Sequence, residues 1–301
     1  METIQSCSVC GSEIFEAADV QWNLCRCLGC GFVFDNPRPT LAELSEFYSK
    51  PTKYDSWIER EHERNDLWER RLKKLLPRRA NGNLLDIGTG IGQFLHRARP
   101  FFTEVYGTEV SQSAVRIAKE KYGLNIYHGA VEQLDLPPAF FDNITLFHVL
   151  EHVPDPARLL KICWSLLRPE GTLVIAVPND LLAWTSFLKK TGKWMQIPAF
   201  RKFSPRFGLP RVGTSREVHL SHFTPQVLRT LVTNHGFSIL EESLDPYFAA
   251  GGFMKAFHAS YFALHQTLFW LFNINRYDTM WLIARRENSP ARSLPSHLSA
   301  A

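Results

Sequence analysis

Nothing at the N-terminus reads as a secretory leader, because Met1 to Gly11 is polar and already carries two cysteines. No internal repeat recurs at a fixed long period, so a repeat array is excluded. The uncharged aromatic stretch Ala256 to Asn275 is interrupted by His258, His265 and Gln266, which argues against a membrane-spanning helix. Acid is absent from Leu181 to Arg216, where Lys189, Lys190, Lys193, Arg201, Lys202, Arg206, Arg211 and Arg216 stand alone. Without those eight, 26 basic residues face 30 acidic ones, so the net charge of +4 belongs to that segment and needs a local cause. With 45% hydrophobic and 21% charged residues the chain is globular, not disordered, collagenous or coiled-coil.

Cysteine is scarce but patterned. Four of the six form two copies of C-x-x-C-G, Cys7-Ser8-Val9-Cys10-Gly11 and Cys27-Leu28-Gly29-Cys30-Gly31. Two such knuckles supply four thiolates in tetrahedral array, and the trailing glycine lets backbone N–H groups turn toward sulfur. A structural zinc is expected on Cys7, Cys10, Cys27 and Cys30; with four thiolates its coordination is full, so it cannot activate a substrate. The spacing suits a metal in a reducing compartment better than disulfides, and a cytoplasmic protein is expected. Cys25 fits the pattern poorly, and Cys163 falls mid-helix and reads as buried.

The cysteine-rich module spans residues 1–39 and closes at Asn36-Pro37-Arg38-Pro39. A helical cap follows over 40–82. There Leu41, Leu44, Phe47 and Tyr48 recur at helical spacing behind an N-capping Thr40, and Tyr54 to Leu76 reads as one long helix. From 83 to 286 strand and helix signals alternate, which predicts a doubly wound α/β domain. Thr172 to Val177, apolar on both faces, belongs in the middle of its parallel sheet. The alternation lapses over about 180–222, too long for a plain loop, so an insertion or lid is expected. An aromatic helix at about 248–273 precedes the last strand, and the polar tail 287–301 reads as disordered.

The densest signal is Leu84-Leu85-Asp86-Ile87-Gly88-Thr89-Gly90-Ile91-Gly92-Gln93. A strand that ends in glycines and opens a helix lets a ligand approach backbone N–H groups. Gln93 stands where a dinucleotide site would want its third glycine, and Asp86 would repel a pyrophosphate but attract an ammonium group. Glu109 ends the next strand, placed to accept hydrogen bonds from a ribose diol.

This arrangement resembles the class I S-adenosylmethionine-dependent methyltransferases, of the type 11/12 kind. The fold this implies is a Rossmann-like, doubly wound, seven-stranded sheet, here with a small N-terminal zinc module. Phe141-Asp142, His148-Val149-Leu150-Glu151-His152 and Leu167-Arg168-Pro169-Glu170-Gly171-Thr172-Leu173 match the family pattern too, and Leu150-Glu151-His152 resembles the subgroup of quinone-biosynthesis O-methyltransferases. By this resemblance S-adenosylmethionine is held by Asp86, Gly88, Thr89, Gly90 and Gly92, by Glu109 and Val110, by Ala130 and Val131, and by His148. The acidic residue usual after the third strand is replaced by Ala130 or Val131. The N-terminal module is similar to that of some sugar C-methyltransferases.

Transfer to oxygen or carbon needs an aligned acceptor and a base. His152 is the first candidate, then His219, then His148, all near the C-terminal ends of strands where ligands of such sheets gather. His219 and His222 also show metal-like spacing, but no third ligand motif accompanies them. The expected acceptor is a small molecule, a sugar or a lipid-linked compound, anionic if it meets the basic lid. Segments 181–216 and 248–273, where basic and aromatic residues interleave, would then make peripheral contact with the inner face of a membrane. Two other classes compete. An RNA- or DNA-binding zinc-ribbon protein is opposed by the ribbon itself, which up to Phe34 holds Arg26 and no lysine. A non-catalytic module on the same fold is opposed by the intact Asp86, glycines and Glu109.

Overall fold

Residues 1–49, 55–210 and 218–288 are described by the structure, a computed structural model. The cysteine module folds as a hairpin of β1 (Phe15–Asp19) and β2 (Leu24–Cys27) followed by β3 (Val33–Asp35). Its knuckles close as the spacing requires. The Gly11 N–H donates to the Cys7 carbonyl at 2.8 Å and the Gly31 N–H to the Cys27 carbonyl at 2.9 Å. Both glycines have φ near +76° (75° and 77°), a conformation that costs glycine little and other residues more.

The cap departs from the single long helix expected over Tyr54 to Leu76. α1 (Leu41–Tyr48) starts on a capping box, in which the Thr40 hydroxyl accepts from the Glu43 N–H and the Glu43 carboxylate accepts from the Thr40 N–H. α2 (Asp55–Glu59) and α3 (Glu61–Leu75) are then separated at Arg60, where φ is −101° and ψ is 29°. The Arg60 guanidinium bonds Glu63 and the carbonyl of Ala249, a partner 189 residues away that no local periodicity could reveal.

The remainder runs β4 (Leu84–Ile87), α4 (Gln93–Ala98), β5 (Val105–Glu109), α5 (Gln112–Tyr122), β6 (Ile126–His128), β7 (Phe141–Phe147), α6 (Pro156–Leu166), β8 (Leu167–Pro178), α7 (Trp184–Trp194), β9 (Ser221–His222), α8 (Pro225–Asn234), β10 (Phe237–Leu244), α9 (Gly252–Phe272) and β11 (Thr279–Arg286). Seven of these strands form one sheet in the order β10-β11-β8-β7-β4-β5-β6. β4 to β8 are parallel, and β11 runs antiparallel between β8 and β10. This is the expected doubly wound sheet. It starts at β4 and winds outward both ways, which puts the ligand crevice at the strand ends between β4 and β7. The middle of β8, Leu173 to Val177, is fully buried between the two helical layers. β8 also begins earlier than its apolar run, with Glu170 left-handed (φ 63°) in its first turn.

The cysteine module and the α/β domain share a sheet. β3 pairs with β9 through Val33–His222 and Phe34–Ser221, giving a four-stranded sheet β1-β2-β3-β9. Phe34, Phe32 and Phe223 stack in succession at 5.4 and 5.5 Å. The insertion contains α7, and part of its basic charge has an internal use. Arg206 pairs with Glu16 at 2.7 Å and donates to the Ala18 carbonyl at 3.1 Å, so it clamps the lid to β1. Arg211 and Arg216, and the tail beyond 288, lie outside the described residues.

Candidate active site

The loop after β4 carries three left-handed glycines, Gly88, Gly90 and Gly92 (φ 70°, 56° and 82°). A Cβ on Gly88 would fall 2.6 Å from the Val149 side chain, and one on Gly90 would fall 2.8 Å from the Trp57 ring. Both glycines line one cleft together with Trp57, Trp68 and Arg71.

Glu109, Val110, Ala130, Val131 and His148 line the same cleft. Glu109 is buried. Its carboxylate accepts from the Gly90 N–H at 2.8 Å and the Ser111 N–H at 2.9 Å, and burial pushes its pKa up in spite of those bonds. Asp86 of β4 and Thr89 and Gly92 of the loop are not among the lining residues. Asp86 Oδ1 accepts from the Thr145 hydroxyl of β7 at 2.6 Å, and complete burial pushes its carboxyl up to about 7. Thr89 donates its N–H to Thr108 at 3.0 Å, while Gly92 packs against Leu124 and Ala118. These three shape the loop.

The other wall carries the candidate bases. His148 and His152 line the cleft on either side of the fully buried Glu151. His148 has φ 56°, its Nδ1 stands 3.0 Å from Glu151 Oε1, and its ring lies 4.4 Å from that of Tyr247. His152 Nδ1 is 2.7 Å from the Val218 carbonyl. A carbonyl only accepts, so Nδ1 carries the proton and Nε2 is the basic nitrogen. Burial raises the Glu151 pKa, but hydrogen bonding to His148 and the charge of the nearby histidines outweigh it and hold the group low.

His219 does not line the cleft. Its ring sits 4.9 Å from that of His152, and its Nδ1 is 3.1 Å from Asp180. His222 points away, with Nδ1 3.4 Å from the same Asp180 oxygen and Nε2 3.8 Å from Asp35. The two histidines therefore share a carboxylate. A tighter group, Glu151, His152 and His219, has its ligating atoms within 4.8 Å of one another.

Residues in and beside the cleft carried no sequence signal. Gln93, visible only as a departure from a third glycine, accepts from Arg64 Nε at 3.0 Å and Trp68 Nε1 at 3.3 Å, tying α3 to α4. Arg71 lines the cleft and pairs in two-pronged fashion with Asp245 at 3.0 and 2.5 Å, both side chains fully buried. Its Nη1 is buried with no hydrogen-bond partner among the described residues. On a helix this charged, one buried arginine cannot be told from its solvated neighbours.

The four expected cysteines converge. Cys7 Sγ and Cys30 Sγ are 3.6 Å apart, as are Cys10 Sγ and Cys27 Sγ, and all four lie within 4.8 Å of one another. A tetrahedral zinc with bonds of about 2.3 Å requires sulfur–sulfur edges of about 3.8 Å, so the donor set and its spacing fit that ion. Cys25 and Cys163 stand outside the cluster.

The sheet order, the glycine loop and the acid that ends the neighbouring strand define a class I S-adenosylmethionine-dependent methyltransferase. Residues 60–242 match the family described as a methyltransferase domain, and the chain belongs to it. Similar curated proteins include the ubiquinone biosynthesis O-methyltransferase of Coxiella burnetii, 35% identical over 102 residues, which are 32% of this chain and 44% of that protein. The enzyme of the same name from Xanthomonas euvesicatoria is 29% identical over 106 residues, 33% of this chain and 44% of its own. The chain thus matches less than half the length of these relatives. Among solved structures, a Listeria monocytogenes chain assigned as an S-adenosylmethionine-dependent methyltransferase superposes with a TM-score of 0.51 at 16% identity, over 73% of this chain and 98% of that one. The cyclase SpnF does so with 0.51 at 16% identity, over 83% and 97%. At such identities the likeness is one of fold.

Proposed function

We propose that the protein methylates oxygen or carbon of a small-molecule, sugar or lipid-linked acceptor, with His152 as base. The observation that carries this reading is the pinned ring of His152. Its Nδ1 is committed to the Val218 carbonyl, so the basic Nε2 belongs to a residue that shares one cleft with Gly88, Gly90 and Glu109. Those three are the residues that would hold S-adenosylmethionine, the glycines through their backbone and Glu109 through its carboxylate. Arg71, whose Nη1 has no hydrogen-bond partner among the described residues, offers a donor to a carboxylate. Bound there, the donor molecule supplies a methyl carbon made electrophilic by its sulfonium.

Everything else rests on the chain. His152 takes the acceptor's proton at Nε2, and the Glu151 carboxylate 3.8 Å from that nitrogen stabilises the imidazolium. Tyr48, whose hydroxyl lies 2.9 Å from His152 Nδ1, fixes the ring from the cap side. Trp57 and Trp68 cover the cleft with apolar surface and exclude water. The cysteine cluster, if it holds zinc, is structural, because four thiolates leave no open position.

The test is incubation with methyl-labelled donor and a panel of phenols, sugar nucleotides and polyprenyl-linked sugars. Labelled product from one class, lost in His152→Gln with donor binding intact, supports the reading. Label transfer unimpaired in that variant refutes His152 as base, and failure to bind donor refutes the activity.

A further inference from the structure

Two helices leave their large apolar side chains in solvent. Of the 21 residues of α9, only His265 is fully buried. Phe253 is 83% exposed and Trp270 80%, with Phe257, Leu264 and Leu271 also more than half exposed. On α7 Trp194 is 82% exposed, and Trp184 and Phe187 about half. Isolated exposed apolar residues need no explanation, but so many large ones on two helices joined at their ends mark a site of contact.

The two helices are tied together where α7 begins and α9 ends. The Trp184 N–H donates to the Arg276 carbonyl at 3.0 Å and Arg276 Nη1 donates to the Leu182 carbonyl at 3.1 Å, so the start of α7 is tied to the segment that leaves α9. The opposite side of α9 packs inward, with the rings of Tyr261 and His265 5.6 and 5.8 Å from that of Tyr277. No residue of α9 lines the cleft, so the outward face does not serve as its wall. No helix of the described residues is long and apolar enough to cross a membrane.

Charge selects the occupant. Neither helix carries an acid, and α7 carries Lys189, Lys190 and Lys193, while the single lysine of α9, Lys255, is paired with Asp66 of α3. Two copies meeting through this face would oppose lysine to lysine. A surface that is at once negative and able to take up indole and phenyl rings satisfies both features. We propose that α7 and α9 dock the protein on an anionic lipid bilayer, lying in the interface with their aromatic rings inserted and their lysines at the headgroups. Tyr247, which lines the cleft, lies five residues before α9, so the cleft wall and the docking helix are joined by a short segment. Delivery of a lipid-linked acceptor would follow and rests on the methyl-transfer reading; docking itself does not.

The experiment is co-sedimentation of the full chain with vesicles of phosphatidylglycerol and phosphatidylcholine, against pure phosphatidylcholine, at low and high salt. Binding should be at least about tenfold tighter to the anionic vesicles and weaken with salt, since each lysine near such a surface contributes to the attraction. The double variants Phe253→Glu/Trp270→Glu and Lys189→Glu/Lys193→Glu should both lose it. Phe253 and Trp270 are exposed and Lys189 and Lys193 half-buried, and unchanged donor affinity and melting temperature would show that both variants fold. Wild-type protein that ignores anionic vesicles at low salt, or binds neutral ones equally well, overturns the proposal. So does a wild-type dimer that Trp270→Glu converts to monomer, which would assign the face to a second copy.

Discussion

His222 directs its Nδ1 to within 3.4 Å of the Asp180 carboxylate oxygen that also holds His219 Nδ1 at 3.1 Å. On its far side His222 Nε2 is 3.8 Å from Asp35 of β3, and on the near side the ring of His219 meets that of His152. Alternating acid and imidazole thus lead from the cysteine module to the candidate base. The segment Val218 to Ser221 is held along the way, since both the Leu220 and Ser221 N–H groups donate to the Glu151 carbonyl.

This array gives stability a defined pH dependence. Burial opposes the charged form of His222, but Asp180 and Asp35 outweigh it and raise its pKa above 6.5. Its contribution is therefore complete below 6.5 and is lost as pH rises through the higher folded value. Asp180 behaves oppositely: burial raises it, the charge and bonds of His219 and His222 lower it more, and its contribution is lost only as pH falls below 3.8. His222→Gln should cost about 3 kcal/mol near neutrality, because it removes a charged partner shared by the buried Asp180 and Asp35 carboxylates. Its melting temperature should also decline less than wild type as pH rises above 6.5. Parallel profiles would refute the assignment.

Asp86 predicts the reverse sign. Its carboxyl, pushed up to about 7 by burial, is uncharged in the fold at pH 5 and is ionised at a cost above pH 7. Asp86→Asn should stabilise the ligand-free protein at pH 8 by up to roughly 4 kcal/mol, and by less at pH 5. Chemical denaturation at the two pH values tests this, and a gain that does not grow with pH would contradict it.

Donor affinity should fail through two separate causes. Gly90→Val drives a Cβ against the Trp57 ring at a φ of +56°. Glu109→Ala strands the Gly90 and Ser111 N–H groups, each worth about 1–3 kcal/mol when left buried and unpaired. Titration calorimetry with S-adenosylmethionine should show at least about tenfold weaker binding in each. Wild-type affinity in both variants would remove the donor from this loop.

Metal analysis should find about one zinc per chain, the count set by a single four-thiolate site. Cys10→Ser should lose it, and the loss should be felt beyond the module. Because β3 pairs with β9, the imidazole resonances of His219 and His222 should shift in that variant. Unmoved resonances in a metal-free protein would show that the module and the cleft are uncoupled.

The sheet was legible because its evidence is local: apolar strands and the glycine loop each occupy a few adjacent positions. The cysteine cluster was legible for the same reason, as its spacing is its geometry. What escaped depends on partners far apart in sequence. Arg71 meets Asp245, Gln93 meets Arg64 and Trp68, and Arg60, where the cap helix is interrupted, meets Ala249. The turning of Asp86 and Gly92 away from the cleft was equally hidden, because their neighbours are Thr145, Leu124 and Ala118. The outward face of α9 could be drawn as a stripe, but only the packing of Tyr261 and His265 on Tyr277 shows which way it points.

The pairing of Val33 with His222 joins positions 189 residues apart. During synthesis the first three strands leave the ribosome well before the one that completes their sheet, so β3 must wait as an open edge while most of the α/β domain is made. Such an edge is a template for pairing with another chain. Its closure is slow because the intervening loop is long. The nascent chain is therefore most exposed to aggregation in the interval between β3 and β9, and what ends that interval is the arrival of two residues, Ser221 and His222.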